Sequence, residues 1–271
     1  MANKKNVNKM SFLDHLEDLR WLLVRSSIAV VIMACVTYTF SDFIFDDIIF
    51  GPTNPDFITY RFFCDIAQKL GVTGDICIKE LPFTIQNTSM EGQINMFIWT
   101  CITAGFILAF PYVLYELWKF ISPALYEKEK KNAVGFIITA SVLFFLGVVF
   151  GYLVIVPLSI NFVATFTVSD IVKNEFNLES YVGMIKTSVI AAGLFFELPI
   201  IIYFLTKLGL VTPNFLRTYR KYAIVIVLIV AAIVTPPDVV SQITVAIPML
   251  IIYELSIFLS VFVEKQKLKN G

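Results

Sequence analysis

Six long apolar runs constrain this chain more than any other feature: Trp21–Phe40, Ile94–Tyr115, Ala133–Val156, Ile185–Leu205, Tyr222–Thr235 and Val239–Val263. A bilayer core about 30 Å thick takes roughly 20 apolar residues per helix, and local thinning accommodates shorter ones. A transmembrane β-barrel would instead show alternating segments about ten residues long. These runs are continuous, so the expected fold is an all-α membrane protein with six transmembrane helices (21–40, 94–115, 133–156, 185–205, 222–235 and 239–263) forming one domain over 1–271. The composition agrees: only 15% of residues are charged and 58% are hydrophobic, too few charges to coat a soluble body, which carries about 25%. The balance of 21 Lys and Arg against 21 Asp and Glu also excludes a basic nucleic-acid binder. No internal repeat of the inverted-repeat transporter kind divides the chain.

Lys and Arg set the orientation. With the N-terminus inside, Lys4, Lys5, Lys9, Arg20 and Arg25 share the cytoplasmic side with Lys119, Lys128, Lys130 and Lys131 of the 2–3 loop. Lys207, Arg217, Arg220 and Lys221 of the 4–5 loop and the basic tail join them, leaving Arg61, Lys69, Lys79, Lys173 and Lys186 opposite. Both termini are therefore expected in the cytoplasm. The acidic stretch Asp14–Asp18 before the first run, with no small-residue cleavage site after it, argues against a cleavable signal peptide.

The large outer loop, 50–92, contains Asn54-Pro55 as a helix start and Gly71 as a stop. Ile58, Phe62, Ile66 and Leu70 recur every four residues between them, which predicts a surface-lying amphipathic helix. Cys64 and Cys77 share this loop and form either a disulfide or two free thiols; Cys35 and Cys101, inside helices, read as packing residues.

Four features resist a purely structural reading. Ser11 with Asp14 resembles a capping box, so a helix starts here; Phe12, Leu16, Leu19 and Leu23 form its apolar stripe, and Asp14, Glu17 and Asp18 an acidic face. That face is either a solvated helix entrance with a Glu17–Arg20 pair or a cation-binding surface. Second, the 2–3 loop sets Glu127 and Glu129 among bases and aromatic residues, the setting a guanidinium favours. Third, Glu197 lies midway along the fourth run, where a charged side chain costs about 2.5–3.5 kcal/mol. Pro199 removes one ladder hydrogen bond there and predicts a bend, and Pro111 and Pro248 interrupt the second and sixth runs. Fourth, helix 5 spans only ~21 Å between Lys221 and Pro236. Helix 6 reaches Glu254 as quickly, so this pair of short helices should thin the bilayer or be sheltered by neighbours.

Together these segments resemble the TatC family, the multi-spanning core of the twin-arginine protein translocase. The resemblance rests on His15-Leu16-Glu17-Asp18-Leu19-Arg20, on Phe120-Ile121-Ser122-Pro123-Ala124-Leu125-Tyr126 followed by Glu129, on Phe196-Glu197-Leu198-Pro199, and on Thr235-Pro236-Pro237-Asp238-Val239-Val240-Ser241-Gln242. Four motifs in the right order cover residues 11–262. The family's N-terminal Glu is Asp18 here, beside Glu17, and the outer loop matches poorly.

The resemblance implies a receptor, not an enzyme, in the bacterial cytoplasmic (inner) membrane, with no cofactor. Asp18 and Glu129 would receive the paired arginines of a signal peptide, with Glu17, Arg20, Phe120 and Pro123 shaping the site. Pro52, Glu197, Pro199, Asp238 and Gln242 would serve contacts to partner helices or the bound signal. The implied partners are single-span TatA- and TatB-type proteins, twin-arginine signal peptides, the lipid bilayer and further copies in a larger complex, with transport driven by the proton motive force. Glu197 beside Pro199 motivates the alternative of a proton-coupled small-molecule carrier. An intramembrane hydrolase is disfavoured, because the chain holds one His and neither G-x-S-x-G nor H-E-x-x-H.

Overall fold

The computed structural model describes residues 12–69, 81–122, 133–169, 171–235 and 239–270, with the side chains of 12–14, 133, 239–241 and 267–270 left aside. Helix α1 runs Phe12–Thr39 and α2 Ile58–Lys69; strand β1 covers Phe83–Gln86 and α3 Gly92–Ile121. Ala133–Phe150 forms α4, Val156–Thr165 α5, Asn174–Asn177 β2, Leu178–Phe195 α6 and Leu198–Leu208 α7. Pro213–Thr218 is α8, Arg220–Val234 α9 and Val239–Asn270 α10. Phe43–Ile49 and Gly151–Ile155 wind as π-helix, the latter joining α4 to α5.

Among the described residues, five helical stretches are long and apolar enough to cross a membrane: His15–Thr39, Gly92–Ile121, Val134–Thr165, Leu178–Leu208 and Gln242–Gln266. This is a multi-pass membrane protein. The fifth apolar run forms α9, whose 15 residues rise only about 22 Å. Helix α10, by contrast, is 32 residues long and not short. Arg220 at the start of α9 meets Glu254 of α10 at 2.7 Å, so only the first half of α10 runs beside α9. The third span continues past Val156 to Thr165, because Pro157 opens a new helical stretch after the π turn. The fourth begins at Leu178, where the Asn177 side chain accepts the Glu179 N–H at 2.9 Å. Pro111 and Pro248 lie inside unbroken helices, since one lost ladder bond does not end a membrane helix.

The core sits between α4–α5, α6, α9 and α10. Ile155, Val156, Ile160, Val182, Val245 and Met249 are at most 2% exposed. Gly147 lets α4 press against α6: a Cβ there would lie 2.6 Å from the Ala192 carbonyl oxygen. Phe144 (0% exposed) stacks on Phe110 of α3 at 3.5 Å between ring centroids. Helix α1 is more peripheral and packs chiefly along α3. Gly105 makes that approach possible, because its Cβ would fall 2.6 Å from the Ala34 backbone nitrogen. The expected apolar stripe of α1 points outward, with Leu16, Leu19 and Leu23 all exposed, and Leu22 is the buried leucine.

At the end of the molecule that carries α2, the all-α expectation misses a two-stranded parallel sheet, β1 with β2, in register from Phe83↔Asn174 to Gln86↔Asn177. The surface helix exists as α2, with its apolar stripe on the open face. Ile58, Phe62 and Ile66 are exposed, while Thr59, Tyr60 and Ala67 are buried. Tyr60 explains the rotation: its hydroxyl donates to the carbonyls of Pro52 (3.1 Å) and Pro157 (3.2 Å), and its burial raises its pKa above the usual phenol value. Tyr152 and Tyr181 likewise donate to Ile48 and Ile49 at the end of the first π segment.

Candidate functional site

The start of α1 and the end of α3 meet at one end of the molecule. The His15 ring stacks on Phe120 with centroids 4.4 Å apart and planes 20° from parallel. Glu17, Asp18 and Arg20, one turn along α1, are all exposed. The Arg20 guanidinium lies 5.4 Å from the Trp21 ring centroid and makes no ion pair with Glu17 among the described residues. Among the described residues, the exposed Glu17 and Asp18 carboxylates have no ion-pair partner, and the same stretch of α1 carries the His15–Phe120 stack; carboxylates with aromatic surface are what a planar cation favours. Pro123 and Glu129, expected opposite them, lie outside the described residues, as does Asp238.

One pair in this region was not anticipated. Arg25 Nη1 donates to Glu116 Oε2 at 3.4 Å, and the Tyr112 hydroxyl donates to Glu116 Oε1 at 3.1 Å. The Glu116 side chain is 6% exposed against 43% for Arg25. The signal available in the sequence is a pair of opposite charges at the facing ends of the first two apolar runs. Local pattern alone marks Arg25 as an orienting charge and gives no sign that Glu116 is its partner 91 residues away.

The intramembrane group is Glu197, 6% exposed, at a break between α6 and α7. Pro199 withholds its N–H here, and the Ile200 and Ile201 amides both converge on the Glu197 carbonyl at 3.0 Å. Glu197 Oε1 is buried with no hydrogen-bond partner among the described residues. A buried carboxyl oxygen in this state has unspent capacity for a polar group from another helix.

The remaining expected residues play parts within the chain. Gln242 Nε2 donates to the Leu228 carbonyl at 3.0 Å, tying α10 to α9. Pro52 is buried and offers its carbonyl to Tyr60. Cys64 is disulfide-bonded, Cys35 and Cys101 are free, and Cys77 lies outside the described residues. No cluster of His, Cys, Asp or Glu suited to a metal occurs among the described residues.

Comparison with known proteins gives one answer throughout. Residues 14–248 match the family of the Sec-independent protein translocase protein (TatC). The chain is 43% identical to the Sec-independent protein translocase protein TatC of Blattabacterium sp. subsp. Periplaneta americana, over 98% of this chain and all of that one. It is 32% identical to TatCy of Bacillus subtilis, over 95% and 91% of the two chains. A crystal structure described as the twin arginine translocase receptor TatC superposes with a TM-score of 0.71 at 31% identity, covering 92% of this chain and 99% of the other.

Proposed function

The chain belongs to the TatC family of Sec-independent protein translocase proteins, and from that premise we propose that it is the receptor and scaffold subunit of a twin-arginine translocase. It is a component of a protein translocase, and the carrier alternative finds no support among its relatives. In this reading Asp18 and Glu129 hold the two guanidinium groups of a signal peptide, and Glu17, Arg20, Phe120 and Pro123 shape the cup around them. The observation that carries it is the His15–Phe120 stack, which joins the two motif-bearing segments at one end of the molecule.

The rest of the assembly follows the same premise. Six spans, α9 included, put both termini in the cytoplasm of a bacterium, with the chain in the inner membrane. TatA- and TatB-type partners dock along its helices, and further copies join a larger complex powered by the proton motive force. Glu197 supports this reading through its unpartnered oxygen at the Pro199 break. Asp238 and Gln242 flank the short α9, and Pro52 braces the outer loop. The brief span of α9 beside the first half of α10 favours a locally thinned bilayer at that edge.

The test is crosslinking of a photoreactive twin-arginine peptide to the full chain in membranes. Each lost charge-assisted contact removes about 1.5–3 kcal/mol, so an Asp18→Ala/Glu129→Ala double variant should capture the peptide at least about tenfold less well. A peptide with both Arg changed to Lys should bind the unaltered chain more weakly, because Lys lacks the bidentate fork. Equal capture by the double variant and the unaltered chain would overturn the assignment.

A further inference from the structure

The Arg25–Glu116 pair stands at the mouth of a groove that the proposed receptor function does not use. It lies between α1 and α3, encloses about 390 Å³, and is lined by Arg25, Ile28, Ile32, Leu108 and Tyr112 among others. Its walls are apolar and open, with Ile28 53%, Ile32 56% and Leu108 48% exposed. Its mouth is cationic. Arg25 spends one N–H on Glu116 through a single 3.4 Å contact, and the rest of its five-donor fork has no other hydrogen bond among the described residues.

Depth decides what such a mouth can meet. Trp21, one turn before Arg25, has its ring centroid 5.9 Å from the Arg25 guanidinium carbon. Indoles concentrate at the membrane–water interface. A helical side chain tilts toward its helix's N-terminus, so Arg25 reaches from just inside the apolar run up to headgroup level. The competing anions Glu17 and Asp18 stand about two turns further out, ~10 Å along the axis. Glu116 is buried and is not among the residues that line the groove. An open apolar slot under a half-spent guanidinium at headgroup depth matches the two ends of one molecule, an acyl chain and a phosphodiester. Basic pockets between transmembrane helices hold lipid headgroups by the same physics.

We infer that the α1–α3 groove is a binding site for one phospholipid of the leaflet on Arg25's side. The phosphate accepts from the unspent Arg25 N–H groups, and an acyl chain lies along Ile28, Ile32 and Leu108. The lipid completes the hydrogen bonding of a cation that would otherwise face hydrocarbon.

Native mass spectrometry of the full chain in mild detergent tests this, with dioleoyl phosphatidylglycerol as the probe and dioleoylglycerol as its phosphate-free match. One phosphatidylglycerol should be retained and dioleoylglycerol lost. Removing one basic contact at headgroup depth, as in Arg25→Gln, should weaken retention about fivefold. Glu116→Gln keeps an acceptor for Tyr112 while freeing Arg25, and should strengthen retention. If Arg25→Gln fails to fold, Leu108→Trp fills the slot with the ion pair intact and should lose the lipid. Equal retention of the two lipids, or undiminished retention in both Arg25→Gln and Leu108→Trp, overturns the site. So does displacement by millimolar inorganic phosphate, which would make it a free-anion site, or by an apolar single-span peptide that binds Arg25→Gln equally well, which would make it a helix-docking groove.

Discussion

The centre of the molecule and its α1–α3 edge are held together by different means. Between α4, α6, α9 and α10 the hold is packing: Phe144, Ile155, Val156, Val182 and Ala231 expose nothing, and Gly147 brings two helices to backbone contact. At the edge, α1 presents most of its residues outward and meets the rest of the chain chiefly along α3, where a close crossing at Gly105, the Arg25–Glu116 ion pair, the His15–Phe120 stack and the edge-on Tyr38–Phe97 contact fix it. Lipid tails are as apolar as Leu, so outward apolar residues on α1 gain nothing by association, and the few specific contacts carry the alignment. The lesson is a division of labour: the packed centre keeps the scaffold folded, and the sparse edge sets the geometry of the end where the proposed receptor carboxylates stand.

The largest effect should come from the centre. Phe144→Ala removes a fully buried ring stacked on Phe110 and leaves a cavity that neither lipid nor water fills. Such truncations cost about 3–5 kcal/mol in soluble cores, and about 3 kcal/mol is expected here because the transfer contribution is smaller in lipid. Thermal aggregation in detergent should shift down strongly for this variant. A shift no larger than that of an Ile28→Ala variant on the open face of α1 would break the contrast between the two regions.

Gly105→Val tests the edge. Its Cβ must displace the α1 backbone near Ala34, at a cost of about 1–3 kcal/mol, borne by a seam and not by the core. The expected result is a modest loss of heat stability with a large loss of twin-arginine peptide capture, because α1 tilts away and carries Asp18 with it. Engineered cysteines at Tyr38 and Phe97, whose rings meet edge-on across the seam with centroids 5.6 Å apart, provide a reporter of the crossing, through a change in their crosslinking yield. Stability and capture falling in proportion would mean that edge and centre form one cooperative unit.

The same contrast explains what could be read from the residues. The spans were legible because a continuous apolar run is a local signal, and so was the break at Glu197-Leu198-Pro199, where proline chemistry acts within one turn. Helix ends were less so: α6 starts seven residues before its apolar run, at an Asn177 cap whose effect depends on a single N–H. The two strands, four residues each and pairing across almost the whole middle of the chain, leave too short a pattern to see. The apolar stripe of α2 is visible in the sequence, but its rotational setting is not, since it depends on Thr59 and Tyr60 reaching two carbonyls of a distant segment, Leu153 and Pro157, besides the nearby Pro52. At the candidate site, Asp18 and Phe120 stood out as motif residues. Arg25 with Glu116 did not, because their meeting joins residues 91 apart and depends on how α1 crosses α3.

The smallest effect is expected at the tip of the edge, and it sharpens the comparison most. His15 is exposed, so its stack on Phe120 is worth only about 0.5–1.5 kcal/mol. His15→Ala should leave thermal stability within error of the unaltered chain, because the ring covers little surface and the core lies far from it. Peptide capture should nevertheless fall by about two- to tenfold, since the stack is what aligns the first turn of α1 with the end of α3. His15→Phe keeps an aromatic face without the imidazole nitrogens and should restore capture. Restoration by Phe would assign the role to stacking; failure of Phe together with rescue by Gln would move it to hydrogen bonding. Equal capture by all of these variants would show that the edge is held without this contact, leaving Gly105, the Tyr38–Phe97 contact and the Arg25–Glu116 pair to align it.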